Sequence, residues 1–184
     1  MHSVKYRLLP LVILIFLCSC SFEYGNRDEE ENTKPELIMR DVDYVRVRNG
    51  DPVVRFLADY AERYEKRQLM NLENLSFLQY ENNWDEINIQ GNAGKAMIEL
   101  ESGNIDLSGG VFISVDSEDI TIQTSALKWL DKEGNISGPV SGIVEIQSSD
   151  GSKFAGVGFS ADSRYRTWVF ESGVSGVFVE EETE

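Results

Sequence analysis

The sequence predicts an all-β fold of antiparallel strands joined by short connections, and three observations predict it. The stretch GNIDLSGGVFISV, Gly103 to Val115, puts Ile105, Leu107, Gly109, Val111, Ile113 and Val115 on one face and Asn104, Asp106, Ser108, Gly110, Phe112 and Ser114 on the other. That period of two belongs to a strand with one apolar face. Turn-forming clusters recur from residue 81 onward: ENN at 81–83, ESGN at 101–104, DSED at 116–119, DKEGN at 131–135, SSDGS at 148–152, SADSR at 160–164 and ESG at 171–173. No long segment after residue 72 carries the 3.6-residue period of an amphipathic helix.

The N-terminus has a different character. Lys5 and Arg7 precede the wholly apolar Leu8–Leu17. That run is short of the roughly 20 residues needed to span a bilayer and suits the core of a signal peptide. It ends in Leu17-Cys18-Ser19-Cys20, which resembles a bacterial lipobox. Residues 1–19 then form a lipoprotein signal peptide, and Cys20 is lipidated and attaches the chain to a membrane. Lipidation at Cys18 would place bulky Leu17 before it and fits less well. An uncleaved anchor or plain secretion is the alternative. Residues 20–36 are acidic and poor in aliphatics, a self-repelling tether. Order is expected from residue 37.

Residues 40–60 are expected to form a hairpin about the NGD turn at 49–51. Val45 and Val47 alternate with Arg46 and Arg48, and Val54, Phe56, Ala58 and Tyr60 share a face. Residues 60–70 suggest a helical turn or two. Beyond them the strand candidates are 72–80, 86–90, 94–101, 104–115, 118–129, 140–147, 153–159, 165–170 and 174–179. Three segments, at 108–115, 140–147 and 174–181, repeat a glycine (Gly110, Gly142, Gly176) ahead of a β-branched run. Glycine inside a strand marks a bulge or bend, so this spacing predicts a sheet that curls.

The chain carries 17 Lys and Arg against 32 Asp and Glu, a formal charge of −15. Such acidity excludes nucleic acid as a partner, since phosphates need cations. Its single histidine, His2, lies in the signal segment. The mature chain therefore lacks a Ser-His-Asp or Cys-His relay and the usual zinc ligand sets. The carboxylates Asp116, Glu118, Asp119, Asp131 and Glu133 cluster in two turns, where calcium binding or glycoside hydrolysis would require them. Without the spacing of a calcium loop they read as solvated turn residues. No cofactor, metal site or catalytic residue is expected, and the protein is not expected to be an enzyme.

What remains is a binding surface or a conduit. The 94–101 strand shares Ala96, Ile98 and Leu100 on one face. Ile122 shares a face with Ile120, Leu127 with Trp129, Val144 with Ile146, Val157 with Phe159, and Trp168 with Phe170. Together these faces fill a roll whose interior can also hold a lipid.

An ordered set of motifs supports the conduit. It runs Phe56-Leu-Ala-Asp-Tyr-Ala, Leu72-x-Asn74-Leu75, Ile105-x-Leu107-x-Gly109-Gly110-Val111, Ile122-x-Thr124-x-x-Leu127-x-Trp129, Phe154-Ala-Gly156-Val-Gly158-Phe159-x-x-Asp162 and Val174-x-Gly176-Val177. Over about residues 36–179 this order resembles the LptC family, the periplasmic component of the lipopolysaccharide export machine. The resemblance implies a twisted antiparallel β-jellyroll of the OstA-like kind, open at both ends, over residues 37–179, followed by an acidic tail at 180–184. Acyl chains would ride in its groove. Phe56, Leu75, Phe77, Ile98, Leu100, Ile105, Leu107, Val111 and Ile113 would line it from the first half of the domain, and Ile122, Trp129, Val144, Ile146, Phe159, Trp168 and Phe170 from the second.

The implied partners are jellyroll-bearing permease subunits of an inner-membrane ABC transporter, a soluble periplasmic bridge jellyroll, and lipopolysaccharide or another glycolipid. The strands around Val45, Val47 and Val54 would meet the transporter. Those around Val174, Val177 and Val179 would meet the next bridge domain, with the tail Glu180–Glu184 restraining uncontrolled edge pairing. The implied location is the periplasmic side of the inner membrane. Two departures stand out: family members generally carry a transmembrane helix where this chain has a lipobox, and its negative charge is awkward beside a phosphorylated glycolipid. The competing reading is a generic lipid-anchored β-sandwich, an adhesin or carbohydrate-binding module. It would have a filled interior and bind sugar through Trp84, Trp129 or Trp168.

Overall fold

The computed structural model describes residues 33–81, 86–164 and 167–179. The signal segment with Cys20, most of the tether, Trp84 and the tail 180–184 lie outside these residues. Twelve strands follow one another: β1 (Leu37–Arg48), β2 (Asp51–Tyr64), β3 (Leu69–Glu81), β4 (Glu86–Glu99), β5 (Ile105–Val115), β6 (Ile120–Leu130), β7 (Asn135–Ser137), β8 (Ile143–Ser148), β9 (Lys153–Val157), β10 (Ser160–Asp162), β11 (Thr167–Val169) and β12 (Ser172–Val177). A 3₁₀ turn, Asp116–Glu118, joins β5 to β6. Among the described residues no helix is long and apolar enough to cross a membrane.

β1 to β6 pair in sequence order as an antiparallel meander, and at β6 the sheet forks. The first half of β6, Ile120–Thr124, pairs with β8, which continues into β9 and β12. The second half, Lys128–Leu130, pairs with β7, which continues into β10 and β11. The result is an open, all-antiparallel roll. Among the described residues, β1, β11 and β12 each have a strand on one side only.

The roll bends along one transverse line that crosses every long strand. On β1 the line falls at Asp41 (φ 51°) and on β3 at Asn74 (φ 50°), both left-handed. Asn74 donates its side-chain amide to Asp59 of β2, 3.1 Å away, at the same level. On β4 and β5 the ladder slips at Gly94 and at Gly109–Gly110, and on β6 it slips opposite them at Ser125. Each extra residue reverses the strand's inward parity. β3 buries Met70 and Leu72 below the line but Leu75 above it; β4 buries Ala93 and then Ala96 and Ile98; β6 buries Ile122 and then Leu127. β5 takes two extra residues and keeps its parity.

Several sequence expectations are corrected here. Residues 60–64 are strand, because Ala61 is fully buried and the flanking Tyr60, Glu62 and Tyr64 pair with one another; the chain turns only at 65–68, through left-handed Gln68. Tyr60 leaves the face of Phe56 because Asp59 lies on the bend line. The candidates 86–90 and 94–101 are one strand, β4, which passes through the bend. Residues 140–142 are a turn closed by Gly142 N–H to the Pro139 carbonyl at 3.2 Å. Of the three echoing glycines only Gly110 marks a bend; Gly176 sits in β12 against the Phe154 ring. The three-residue β7 and β10 are too short to carry a period.

Candidate functional site

The interior is closed at one end and hollow along the rest. Below the bend line Ala61, Met70, Leu72, Ala96 and Ile98 interlock, with Met70 and Leu72 each only 1 % exposed. Fully burying such side chains stabilises the fold by about 1.5–3 kcal/mol each. Away from that packed end, opposing faces stand apart on both sides of the line. A first cavity of about 320 Å³ lies among β1 to β6, walled by Phe56, Leu107, Ile113, Ile122, Leu127 and Trp129. A second of about 610 Å³ lies between the two arms of the fork, walled by Ile146, Phe154, Phe159, Ala161 and Trp168. Both have the size of small-ligand sites. Gln79, Ile89, Val115, Ile122, Trp129, Ile136 and Ser163 line both, so the two form one continuous slot.

Aromatic rings pave this slot. Tyr44 stacks on Phe56 at 6.2 Å between ring centres, and Phe56 meets Phe77 at 6.5 Å. At the far end Phe159 meets Phe170 at 5.4 Å, and Trp168 lies edge-on to Phe170 at 5.7 Å. Such rings present large apolar surface in offset and edge-on pairs.

The expected lining residues divide accordingly. Phe56, Phe77, Ile105, Leu107, Ile113, Ile122 and Trp129 wall the first cavity, and Ile146, Phe159 and Trp168 the second. Trp168 is a rim residue, 43 % exposed. Phe170 supports the wall through Phe159. Leu75, Ile98, Leu100, Val111 and Val144 line neither cavity; they belong to the packed core or its margin. Ile89, Ile136, Phe154, Ala161 and Phe178 are liners that period-two reading missed, and Val115, read on the apolar face of its strand, is a liner too. Ile136 sits in what reads as a turn, and Phe154 pairs directly with Ile146 across β8 and β9.

The edge residues divide as well. Val45 and Val47 lie on β1, a free edge, with Val47 exposed. Val54 does not: β2 is hydrogen-bonded to both β1 and β3, and Val54 faces the first cavity. Val174 and Val177 lie exposed on β12, also an edge. Val179 lies past the strand end, where its N–H donates to Ser152 Oγ at 2.9 Å.

The polar groups at the first mouth are ordered. Arg46 and Arg48 of β1 both donate to Asp131 Oδ2, at 3.2 and 2.8 Å, reaching across to the turn after β6. The Trp129 indole N–H points at Asp131 Oδ1 from 3.4 Å, and the Asp131 N–H donates to Asn104 Oδ1 at 3.2 Å. In the other acidic turn, the Asp116 carboxylate accepts from Ser114 Oγ at 3.3 Å and its backbone carbonyl from the Asp119 N–H at 3.3 Å. Among the described residues no group of three or more His, Cys, Asp or Glu is placed to hold a metal ion.

Comparison with known proteins agrees with this geometry. The model of the family described as lipopolysaccharide-assembly, LptC-related, matches residues 8–179. No curated protein is significantly similar in sequence. Among solved structures, the fold is similar to that of LptH, the LptA-homologous periplasmic component of the conserved lipopolysaccharide transport device from Pseudomonas aeruginosa. The TM-score is 0.54 at 10 % identity, over 69 % of this chain and 95 % of that one, a likeness of fold.

Proposed function

The chain belongs to the LptC-related family of lipopolysaccharide assembly, and from that premise we propose that it is a periplasmic bridge component that carries a glycolipid through its roll. The observation that carries this reading is the continuous slot, apolar along its walls and flanked by unpaired strand edges at β1 and β12. Acyl chains exposed to water cost about 0.8 kcal/mol per methylene. A walled slot removes that cost step by step while a head group stays wet at the opening.

In this reading β1 pairs with a jellyroll domain of an inner-membrane ABC transporter permease, and the slot receives lipopolysaccharide or a related glycolipid there. β12 pairs with the next, soluble bridge jellyroll, which takes the lipid onward. The chain binds and passes; no bond of the lipid is made or broken. Lipidation at Cys20 would hold it at the periplasmic face of the inner membrane, with residues 20–36 as tether.

Site-specific photocrosslinking in cells tests the proposal. A photoreactive residue at Ile89 or Phe159 should trap a glycolipid, and one at outward-facing Lys95 should not. Adducts confined to Lys95, or none at any slot position, would sink it.

A further inference from the structure

Apart from the Arg164–Asp162 ion pair, whose partners lie 3.0 Å apart where the two cavities meet, the cavities differ in charge. The first cavity's lining includes Arg46, Arg48, Lys132 and Arg164 against one acid, Asp131. The second cavity's lining includes Glu118, Asp150 and Asp162 and, among the described residues, no cation. In a chain of charge −15, the three further cations Arg46, Arg48 and Lys132 gathered at one apolar opening are out of keeping with the rest of the chain.

The three arginines are also held in place. Arg46 is three-quarters buried at its side chain, and its guanidinium lies against Gly103, where a Cβ would come within 2.5 Å of it. Arg164 packs over Gly134, with its Cγ and Nε 3.4 Å from where a Cβ would stand. Ser163 ties that segment to the same turn through two bonds to the Gly134 carbonyl, both 2.9 Å. Lys132 belongs to this turn, between Asp131 and Gly134. The turn's other acid, Glu133, is exposed and does not line the cavity. Arg164 is charge-balanced by Asp162, at 3.0 Å. Asp131 is thus the internal counter-ion shared by two arginines on a different strand.

Resting on the conduit reading, we propose that this mouth is a site for the anionic head group of a single amphiphile whose chain enters the first cavity, with Asp131 as an exchangeable counter-ion. A phosphate or carboxylate there would take the forked donors of Arg46 and Arg48 in place of Asp131. The acidic second cavity would repel the same group. The charge difference therefore favours residence at the β1 end, and onward movement requires the head group to stay outside the slot.

The test uses the full chain in nanodiscs of zwitterionic lipid and two photoreactive probes of equal chain length, an alkyl phosphate and an uncharged alkyl glucoside. Labelling of the peptide that contains Trp129 is read by mass spectrometry. The phosphate probe should label more strongly, and the paired change Arg46→Gln and Arg48→Gln should lower its labelling about tenfold, the scale of lost charge-assisted hydrogen bonds, without moving the glucoside. Asp131→Asn should raise phosphate labelling alone; a purely structural clamp would instead change both probes together. Should the paired variant fail to fold, salt raised tenfold must still weaken phosphate labelling of the natural chain selectively. Equal labelling by both probes, insensitive to salt and to the arginines, overturns the head-group site and leaves the conduit standing. Competition by inorganic phosphate as effective as the alkyl phosphate also overturns it, since the site would then take a free anion. No labelling by either probe overturns the conduit itself.

Discussion

Gly94 of β4 and Gly109 of β5 meet backbone to backbone at the bend of the roll: a Cβ on Gly94 would stand 2.8 Å from the Gly109 carbonyl oxygen, and one on Gly109 would stand 3.2 Å from Gly94 Cα. The contact sits where the ladder slips on both strands, so the close approach is what lets the sheet fold over. Gly94→Ala puts a methyl against backbone that has no flexible end to move. We expect it to destabilise by about 1–3 kcal/mol. Gly110→Ala, with open space around it but φ +87°, should cost about 1–2 kcal/mol through strain alone. Urea unfolding of the two variants checks both values; a Gly94→Ala protein as stable as the natural one would mean that the bend does not depend on this contact.

The closed and hollow parts of the interior should respond differently to truncation. Leu72→Ala opens a void in packed surroundings and should cost about 2–5 kcal/mol. Ile89→Ala enlarges a space that already exists, so few partner atoms are lost and the cost should stay below about 1.5 kcal/mol. Ile89→Trp fills the waist shared by both cavities. It should leave the melting temperature nearly unchanged while abolishing lipid crosslinking at Phe159. Equal destabilisation by the two alanine variants would show that the interior is packed throughout.

The alternation of Ile105, Leu107, Val111 and Ile113 revealed strand β5 and its inward face because its two-residue bulge preserves parity. β3, β4 and β6 each take one extra residue, at Asn74, Gly94 and Ser125, and there a strict period of two assigns half the strand to the wrong face. Asn and Gly in mid-strand were a visible signal of this; Ser125 was not. The Arg46–Asp131 contact joins residues 85 apart in the chain, and nothing local in RVRNGD or LDKEGN foretells it. The fork at β6 was likewise hidden, since β7 and β10 have only three residues each.

The β12 edge offers a separation of stability from assembly. Val174 and Val177 are 59 % and 63 % exposed, and β12 pairs with β9 alone. Lysine at both positions should change unfolding free energy by less than about 0.5 kcal/mol. It should also blunt the edge against strand addition. On the proposed bridge reading, co-purification with a soluble bridge jellyroll is then expected to fall while any association through β1 persists. Unchanged bridge binding would move the docking edge away from β12.

Glu62 makes stability depend on pH at both extremes. Its carboxylate accepts from the Tyr64 hydroxyl at 2.7 Å and from the Tyr60 hydroxyl at 2.8 Å. Those two bonds hold its pKa below the usual 4.5. A carboxyl whose folded pKa is depressed contributes stability that is complete above its unfolded pKa and is lost as pH falls through the folded one. The same bonds to Glu62 push both tyrosine hydroxyls above 10. A raised pKa contributes stability that is present below 10 and is lost as pH rises through the folded value. Glu62→Gln keeps the shape but removes the charge. The variant should be less stable than the natural chain at neutral pH, and the gap should narrow as pH falls below about 4.5 and again as it rises above about 10, vanishing once pH passes the folded values. Urea midpoints measured across that range check the shape; a gap that stays constant with pH would show that the cluster acts through packing alone.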